Sequence, residues 1–254
     1  MTTPSTLFNV LLTGVFLAAP IVALSLLFAT APYGRHGDRR AGPTLPARLG
    51  WVAMECPSAV AFAHFFFQGR NALEFVPLLL VTLWLLHYVH RSFVYPLEMR
   101  VGENSSIPVA IVGSGFAFNM VNSYLNGTWV GSYGSYPDSW LGDPRFVLGV
   151  TLFVVGFFIN RRSDAILRNL RKPGETGYKI PTGGLYGIVS CPNYLGELMI
   201  WTGWAIATWS LAGLSFAVFT AANLVPRALS NHRWYKEKFE DYPPGRKAVI
   251  PFVL

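Results

Sequence analysis

Two side chains that could do acid–base chemistry lie inside strongly apolar stretches of this sequence. Glu55 lies in the apolar stretch 49–67, and Tyr88 lies near the end of the apolar stretch 75–95. A carboxylate inside a membrane costs about 2.5–3.5 kcal/mol, so such acids usually mark a site. A tyrosine hydroxyl can donate a hydrogen bond where a stronger acid would not survive in lipid. Glu55 could instead make a structural hydrogen bond to a neighbouring helix, and Tyr88 could belong to an interfacial belt of aromatic and basic residues.

A second group of polar residues lies on the segment 160–174, which is predicted as a helix that ends at Pro173-Gly174. Four of its residues recur at steps of four, four and three and so share one face: Asn160, Asp164, Arg168 and Arg171. An aspartate among arginines can accept ribose hydroxyls while the arginines hold phosphates. Attraction to anionic lipid would explain the basic residues, but it would not explain Asn160 or Asp164.

Further polar residues gather around the start of the apolar stretch 194–210. Pro192 followed by Asn193 at a helix start would leave backbone N–H groups pointing outward, which suits an anion or an amide. Glu197 would be a second acid at membrane depth. The preceding loop contains Tyr178 and two adjacent glycines, which would let the backbone approach a ligand closely.

The usual nucleotide and metal motifs are missing from the sequence. Gly113-Ser-Gly115 lacks the third glycine of the dinucleotide fingerprint and follows no strand, and there is no phosphate-binding P-loop. A nucleotide would therefore be held without a Rossmann fold, by the polar C-terminal third. His87 and His90 come nearest to a metal-ligand spacing, and no metal site is predicted.

Membrane-spanning helices are the elements that must position these residues. The chain has 254 residues, of which 52% are hydrophobic and 13% charged, and this composition excludes a disordered chain and a soluble nucleic-acid binder. Its two cysteines exclude a disulfide scaffold. A helix needs about 20 mostly apolar residues to cross the hydrocarbon. Seven stretches are predicted to do so: 7–28, 49–67, 75–95, 107–130, 146–160, 194–210 and 212–229.

The basic residues predict the orientation of these spans. With the N-terminus outside, 18 of the 20 Lys and Arg residues fall on the cytoplasmic side, as the positive-inside rule requires. The predicted fold class is therefore an all-α membrane protein of one domain, 1–254, with seven transmembrane helices, an outside N-terminus and a cytoplasmic C-terminus. The fourth span carries Asn119, Asn122 and Asn126 on one face, which could bind another helix or line a polar cavity.

Eight stretches of the chain resemble the steroid 5α-reductase family, the 3-oxo-5α-steroid 4-dehydrogenases, and most of all its animal type 2 branch. The run Arg168-Asn-Leu-Arg-Lys-Pro-Gly-Glu175 and the C-terminal run are highly specific. Met54 departs from the animal enzymes, which have Gln there, and Asn231 departs from their His-rich run. The resemblance extends over nearly the whole chain and is weakest in the first 30 residues. The stretches that carry it are 33–36, 51–57, 87–95, 136–140, 160–175, 178–185, 193–197 and 227–252.

The resemblance implies a seven-helix membrane enzyme that uses NADPH to reduce the 4,5 double bond of 3-oxo-Δ4 steroids. It implies that Glu55 and Tyr88 bracket the 3-oxo oxygen of the substrate. The expected partners are a steroid or sterol-like lipid and the bilayer, a bacterial inner membrane or the endoplasmic reticulum, with no nucleic acid and no obligate protein partner. The cofactor site is expected to face the cytoplasm and to be lined by nine residues: Arg91, Asn160, Asp164, Arg171, Tyr178, Asn193, Glu197, Arg227 and Tyr235.

The distribution of charge along the chain suggests a division of labour. Residues 1–144 hold seven basic and seven acidic residues, whereas residues 145–254 hold thirteen basic and six. The near-neutral part is expected mainly to supply the substrate pocket, and the basic part mainly to hold the anionic NADPH.

Two alternative functions remain open from the sequence. One is a membrane methyltransferase of the isoprenylcysteine carboxyl type, which would bind S-adenosylmethionine and would not need the pair of Glu55 and Tyr88. The other is a non-enzymatic sterol-binding protein, which would explain the acids inside the membrane but not the helix face that carries Asp164 and Arg171.

Overall fold

The computed structural model describes residues 3–28, 42–102, 105–170 and 177–254, and these residues are mostly helical. Helices are the expected result, because lipid offers an apolar segment no hydrogen-bond partner for its backbone. In this part of the chain the α-helices are α1 (Thr6–Phe28), α2 (Ala47–Phe67), α3 (Phe75–Val89), α4 (Tyr95–Glu98), α5 (Val109–Thr128), α6 (Pro144–Asn169), α7 (Pro192–Thr208) and α8 (Leu211–Lys238).

Two π-helical turns interrupt this pattern. One, His90–Val94, joins α3 to α4 into a single continuous helix, and the other, Trp129–Tyr133, ends α5. A π-turn widens the helix locally and is frequent at functional sites. The first of them starts two residues after Tyr88, so it sets the direction of the polar side chains that follow this tyrosine.

A short ribbon of two strands precedes α2 and α5. β1 (Thr44–Pro46) pairs antiparallel with β2 (Ser106–Pro108), and each strand ends in a proline directly before a helix. Proline lacks the N–H that a longer ladder would need, so the pairing stops there. The all-α prediction missed this ribbon, and it starts α5 two residues later than the predicted fourth span.

The polar helix that was predicted from residue 160 is the second half of α6. Pro144–Asn169 runs without a break, so the predicted fifth span 146–160 and the polar segment form one element of 26 residues. The predicted end of that helix at Pro173-Gly174 lies outside the described residues. α8 likewise continues beyond the predicted end at residue 229, as far as Lys238.

Five helices of the described chain are long and apolar enough to cross a membrane: Thr6–Phe28, Ala47–Phe67, Phe75–Glu98, Pro144–Asn169 and Leu211–Lys238. A multi-pass membrane protein is therefore confirmed in outline. α7 has only 17 residues, and the three asparagines of α5 lower its mean hydropathy. The count of seven spans and the orientation of the termini stay predictions.

Close helix pairs surround the polar residues. α6 packs antiparallel on α7, where a Cβ added at Gly156 would lie 2.7 Å from the carbonyl oxygen of Gly196. α2 packs on α5. These two helices run parallel, because the residue numbers of their contacts increase together, from Met54 with Asn119 to Pro57 with Ser123. α1 packs on α8, and buried aromatic rings of α3, α7 and α8 fill the centre.

Candidate functional site

Glu55 sits where Pro57 disturbs α2. Proline has no N–H, so the carbonyl of Ala53 loses its usual donor, and the Cys56 thiol donates to it at 3.7 Å. Asn119 of α5 reaches the same turn: its Nδ2 donates to the Met54 carbonyl at 2.8 Å and lies 3.5 Å from Glu55 Oε2. The carboxyl group is thus held between two helices beside a weakened stretch of backbone.

The asparagine face of α5 serves mainly to bind other helices. Asn119 bonds to α2, and Asn126 Oδ1 accepts a hydrogen bond of 2.8 Å from Trp204 Nε1 of α7. Asn126 Nδ2 also donates to Asn122 Oδ1 at 2.9 Å. These contacts favour the first of the two alternatives that the spacing left open.

Tyr88 lies level with Glu55 because hydrogen bonds on both sides fix α3 against α2. One turn before it, Trp84 Nε1 donates to the Ser58 carbonyl at 2.6 Å. One turn after it, Ser92 Oγ donates to the Glu55 carbonyl at 2.9 Å. Tyr88 is 4% exposed, and its ring stacks on Trp201 at 5.3 Å between centroids. Tyr88 therefore lies between the turn of α2 that carries Glu55 and Trp201 of α7.

Arg91 follows within the π-turn and points at two acids. Its Nη1 lies 3.8 Å from Asp164 Oδ2 and 4.0 Å from Glu197 Oε1. Its guanidinium lies over the rings of Trp51, at 4.7 Å, and Tyr95, at 5.3 Å. These distances make ion pairs without tight hydrogen bonds, so the guanidinium and both carboxylates keep capacity for a ligand.

Amide side chains link the two acids to each other. Asn193 Nδ2 donates to Asp164 Oδ1 at 3.1 Å, and Asn160 Nδ2 donates to Glu197 Oε1 at 3.2 Å. Asn160 Nδ2 is also 3.1 Å from the carbonyl oxygen of Asn193. These side chains form one cluster, which is buried at Asn160, Asp164 and Glu197 and half-buried at Arg91 and Asn193. We call these five residues the polar network.

The polar network exists because α6 and α7 can touch. Gly156 and Gly196 remove side chains at the crossing, and a Cβ at Gly196 would meet the backbone N of Asn160 at 2.6 Å. Asn160 and Asp164 follow Gly156 on α6, and Asn193 and Glu197 lie on either side of Gly196 on α7. The contact brings together four of the nine predicted cofactor residues, and Arg91 joins them from the π-turn after α3.

The other predicted cofactor residues lie around the C-terminal end of α8 or outside the described chain. Arg227 lies over the ring of Tyr194, next to Asn193, at 5.6 Å. Tyr178 is 44% exposed and packs against Trp234 at 4.9 Å. Tyr235 is buried and stacks on Tyr242 at 5.4 Å. Arg171 lies outside the described residues.

Arg168 shares the predicted polar face but has a different neighbour. Its Nη1 donates to Glu98 Oε2 of α4 at 2.6 Å, and Arg161 Nη1 lies 3.5 Å from the same oxygen. Arg161 also contacts the ring of His90. This cluster ties α4 to α6 beside the polar network.

Three residues at the site were not predicted. His87 Nε2 lies 3.6 Å from Glu197 Oε2, and Trp201 Nε1 donates to that oxygen at 2.9 Å. The spacing of Trp201, four residues after Glu197, was the available signal. Arg246 is 5% exposed, its Nε and Nη1 have no hydrogen-bond partner within the described chain, and its guanidinium lies 5.1 Å from the Tyr242 ring.

Comparison with known proteins identifies the family. A family model described as 3-oxo-5-alpha-steroid 4-dehydrogenase matches residues 105–254. The chain is 42% identical over 257 residues to "Steroid 5-alpha-reductase DET2" of Gossypium hirsutum, which covers 100% of both chains. It is 43% identical over 228 residues to "3-oxo-5-alpha-steroid 4-dehydrogenase 1" of Bos taurus, which covers 88% of each. The predicted family is confirmed, and the likeness to the type 2 branch stays a prediction. The chain is an enzyme of the 3-oxo-5-alpha-steroid 4-dehydrogenase family.

Proposed function

We propose that this protein reduces the 4,5 double bond of 3-oxo-Δ4 steroids, or of similar lipid enones, to 5α-dihydro products with NADPH. Family membership makes it a reductase, which implies a nicotinamide cofactor. The observation that carries the proposal is the position of Tyr88 between the turn of α2 that carries Glu55 and Trp201, whose indole N–H donates to Glu197 of the polar network. Hydride transfer to an enone needs a hydrogen-bond donor for the carbonyl oxygen and a nearby site for the cofactor. A phenol shielded from water, with an acid on one side and a cluster of polar groups on the other, suits both needs.

The Tyr88 hydroxyl is the proposed hydrogen-bond donor to the carbonyl oxygen of the substrate. Hydride addition to the β-carbon of an enone pushes negative charge onto the carbonyl oxygen, and a donor aimed at that oxygen stabilises charge that exists only in the transition state. Tyr88 donates this hydrogen bond, and protonated Glu55, held by Asn119, donates a second one. The surrounding indoles of Trp84 and Trp201 exclude water, which strengthens both interactions.

The residues of the site fit NADPH. When bound, NADPH would supply the hydride. Asp164 and Glu197 accept hydrogen bonds from ribose hydroxyls or the carboxamide, and Asn193 at the start of α7 donates to and accepts from the same groups. Arg91 balances the negative charge of the two acids. The buried Nε and Nη1 of Arg246, which have no hydrogen-bond partner among the described residues, lie next to the stack of Tyr242 on Tyr235 and suit a phosphate.

The division of labour follows from these roles. Residues 1–144 supply Glu55, Tyr88 and the lipid-facing pocket, whereas residues 145–254 supply most of the cofactor site. We further propose seven membrane crossings with the C-terminus and the cofactor site in the cytoplasm, where NADPH is available. An apolar substrate can then enter directly from the bilayer.

A single assay tests the function. Purified protein is incubated with NADPH and a 3-oxo-Δ4 steroid, the absorbance of the reduced nicotinamide is followed, and the product is identified by mass and chromatography. We expect NADPH oxidation only when the steroid is present, with one 5α-dihydro steroid formed per NADPH. No consumption, or methyl transfer from S-adenosylmethionine instead, would overturn the proposal in favour of a binding protein or a methyltransferase.

A further inference from the structure

Two buried aromatic side chains stand between the polar network and Tyr88. Trp201 donates from Nε1 to Glu197 Oε2 at 2.9 Å, and its ring stacks on the Tyr88 phenol with an interplanar angle of 29°. His87 Nε2 lies 3.6 Å from the same oxygen. The His87 ring meets Tyr88 and Trp201 edge to face, at 5.1 and 4.9 Å. Each of the two residues thus contacts both the cofactor-side acid and the substrate-side phenol.

Close packing leaves these rings little freedom to move independently. Trp201 is 2% exposed and His87 is 3% exposed. Phe216 of α8 lies 4.2 Å from the Trp201 ring, and Phe153 of α6 meets it edge to face. Protein interiors are packed as densely as organic crystals, so a shift of one ring must shift its neighbours. A movement of the Glu197 carboxylate is therefore transmitted to the plane of the phenol.

We propose that His87 and Trp201 are positioning residues that couple binding at the polar network to the placement of the Tyr88 hydroxyl. The inference rests on the proposed function and deepens it. A cofactor bound to Glu197 fixes the carboxylate, the carboxylate fixes the indole N–H and the imidazole, and these rings fix the phenol for the steroid carbonyl. Such coupling is reciprocal, so the steroid must also tighten the binding of NADPH.

Trp84 offers a matched control for Trp201. Its ring also lies against Tyr88, at 5.1 Å, and against Trp201, at 5.2 Å, and it is fully buried. Its indole N–H, however, donates to the Ser58 carbonyl of α2 rather than to Glu197. Trp84→Phe therefore weakens the contact of α3 with α2 beside the phenol, which should lower kcat, but it leaves the connection between the phenol and the polar network intact. The control thus separates a general disturbance of Tyr88 from a loss of coupling.

The test measures coupling without turnover. The probe is a 3-oxo-5α-steroid, which lacks the 4,5 double bond and leaves NADPH unoxidised. The dissociation constant of NADPH is measured by nicotinamide fluorescence with and without saturating steroid, in the wild type, Trp201→Phe, His87→Phe and Trp84→Phe. Melting curves and size-exclusion profiles select the variants that fold.

We expect the steroid to tighten NADPH binding by roughly 5–150-fold in the wild type, which is the usual range of coupling between sites. The factor should fall towards one in Trp201→Phe and in His87→Phe and should persist in Trp84→Phe. A folded Trp201→Phe or His87→Phe protein with the wild-type factor would overturn the inference. If NADPH and the steroid bound independently to an active wild type, the inference would also be overturned, but the proposed function would stand. A wild type that binds no NADPH would overturn both.

Discussion

At the scale of single residues, the proposed function predicts that the Tyr88 hydroxyl carries the chemical step. Tyr88→Phe keeps the ring stacked on Trp201 and removes only the donor, so we expect kcat to fall by about 10²–10³-fold. The dissociation constant of NADPH should stay near the wild-type value, because the phenol does not belong to the polar network. Steady-state kinetics and nicotinamide fluorescence measure the two quantities. The matched control is Tyr133→Phe, which should keep wild-type turnover, because the Tyr133 hydroxyl accepts a hydrogen bond from the backbone N–H of Ser5, away from the site. Wild-type kcat in Tyr88→Phe would refute the assignment.

Asp164 is the residue that should separate cofactor binding from catalysis. Asp164→Asn keeps an oxygen that can accept from Asn193 but removes the charge opposite Arg91. Hydrogen bonds to charged groups are stronger by about 1 kcal/mol than neutral ones, so we expect the KM for NADPH to rise about 5-fold. The KM for the steroid should change little. Asp138→Asn, in an exposed position, controls for the loss of one negative charge. An unchanged KM for NADPH would remove Asp164 from the cofactor site.

Sequence alone predicted the residues whose grouping depends on helical periodicity. Asn160 and Asp164 are one turn apart, and the structure places both in the polar network. His87 and Trp201 were not predicted as parts of the site, because their contacts depend on how α3 and α7 pack. The position of Arg168 on the polar face was also predictable from the spacing, but its hydrogen bond to Glu98 was not, because that contact depends on where α4 packs.

At the scale of elements, the crossing of α6 and α7 positions the polar network. A Cβ at Gly156 would lie 2.7 Å from the Gly196 oxygen and 2.8 Å from the Ile200 N, which are backbone atoms that cannot move away cheaply. Overpacking of this kind costs about 1–3 kcal/mol, so Gly156→Ala should lower the Tm. It should also raise the KM for NADPH, since the helices that carry Asn160 and Glu197 are forced apart.

Gly113→Ala on α5 is the control for this substitution. A Cβ there meets no heavy atom within 4 Å, so the helix should tolerate it. Alanine favours a helix over glycine by up to about 1 kcal/mol, which predicts an unchanged or slightly higher Tm. Equal Tm values for Gly156→Ala and Gly113→Ala would show that the crossing of α6 and α7 accepts an additional methyl group.

The N-terminus of α6 has a pH-dependent cap. Hydrogen bonds from the Arg145 side chain and backbone N–H lower the pKa of Asp143 to about 2. In the unfolded chain an aspartate titrates near about 3.9, so the stabilisation is present above that pH and is lost as the pH falls towards 2. Asp143→Asn keeps a capping oxygen but not the charge. Its Tm should lie below that of the wild type at pH 5–7, and the gap should close as the pH approaches 2. A gap of constant size would contradict this account.

The helices were predictable from the sequence wherever an uninterrupted apolar stretch was long enough to cross a membrane. All seven predicted spans correspond to a helix, because an uninterrupted apolar stretch has few other solutions in lipid. The ribbon of β1 and β2 was not predictable from three-residue strands that end in proline. The span 146–160 and the polar helix from residue 160 were predicted as two elements but form one, since no proline or glycine lies between Asn160 and Asn169.

At the scale of the whole molecule, the pairing of helices supports seven crossings. α5 and α7 are the two predicted spans that are less apolar or shorter than the others. α5, however, runs parallel to α2 along its contacts from Asn119 to Ser123, and α7 runs antiparallel to α6. If α2 and α6 cross the membrane, their partners must traverse the same depth. The charge asymmetry of the chain agrees, since only with seven spans do 18 of 20 basic residues face one side.

Cysteine labelling distinguishes seven crossings from five. Ser139, between α5 and α6, and Lys179, between α6 and α7, are both exposed and can be replaced by cysteine. With seven crossings, a membrane-impermeant maleimide labels Ser139→Cys in intact cells and labels Lys179→Cys only after permeabilisation. If α5 and α7 did not cross, the two positions would exchange sides and so would the labelling. Glu74→Cys, outside in both arrangements, and Lys238→Cys, inside in both, calibrate the two signals, and the unsubstituted chain gives the background from Cys56 and Cys191. Because Lys179 adjoins Tyr178, the same experiment also reports which side of the membrane the cofactor site faces.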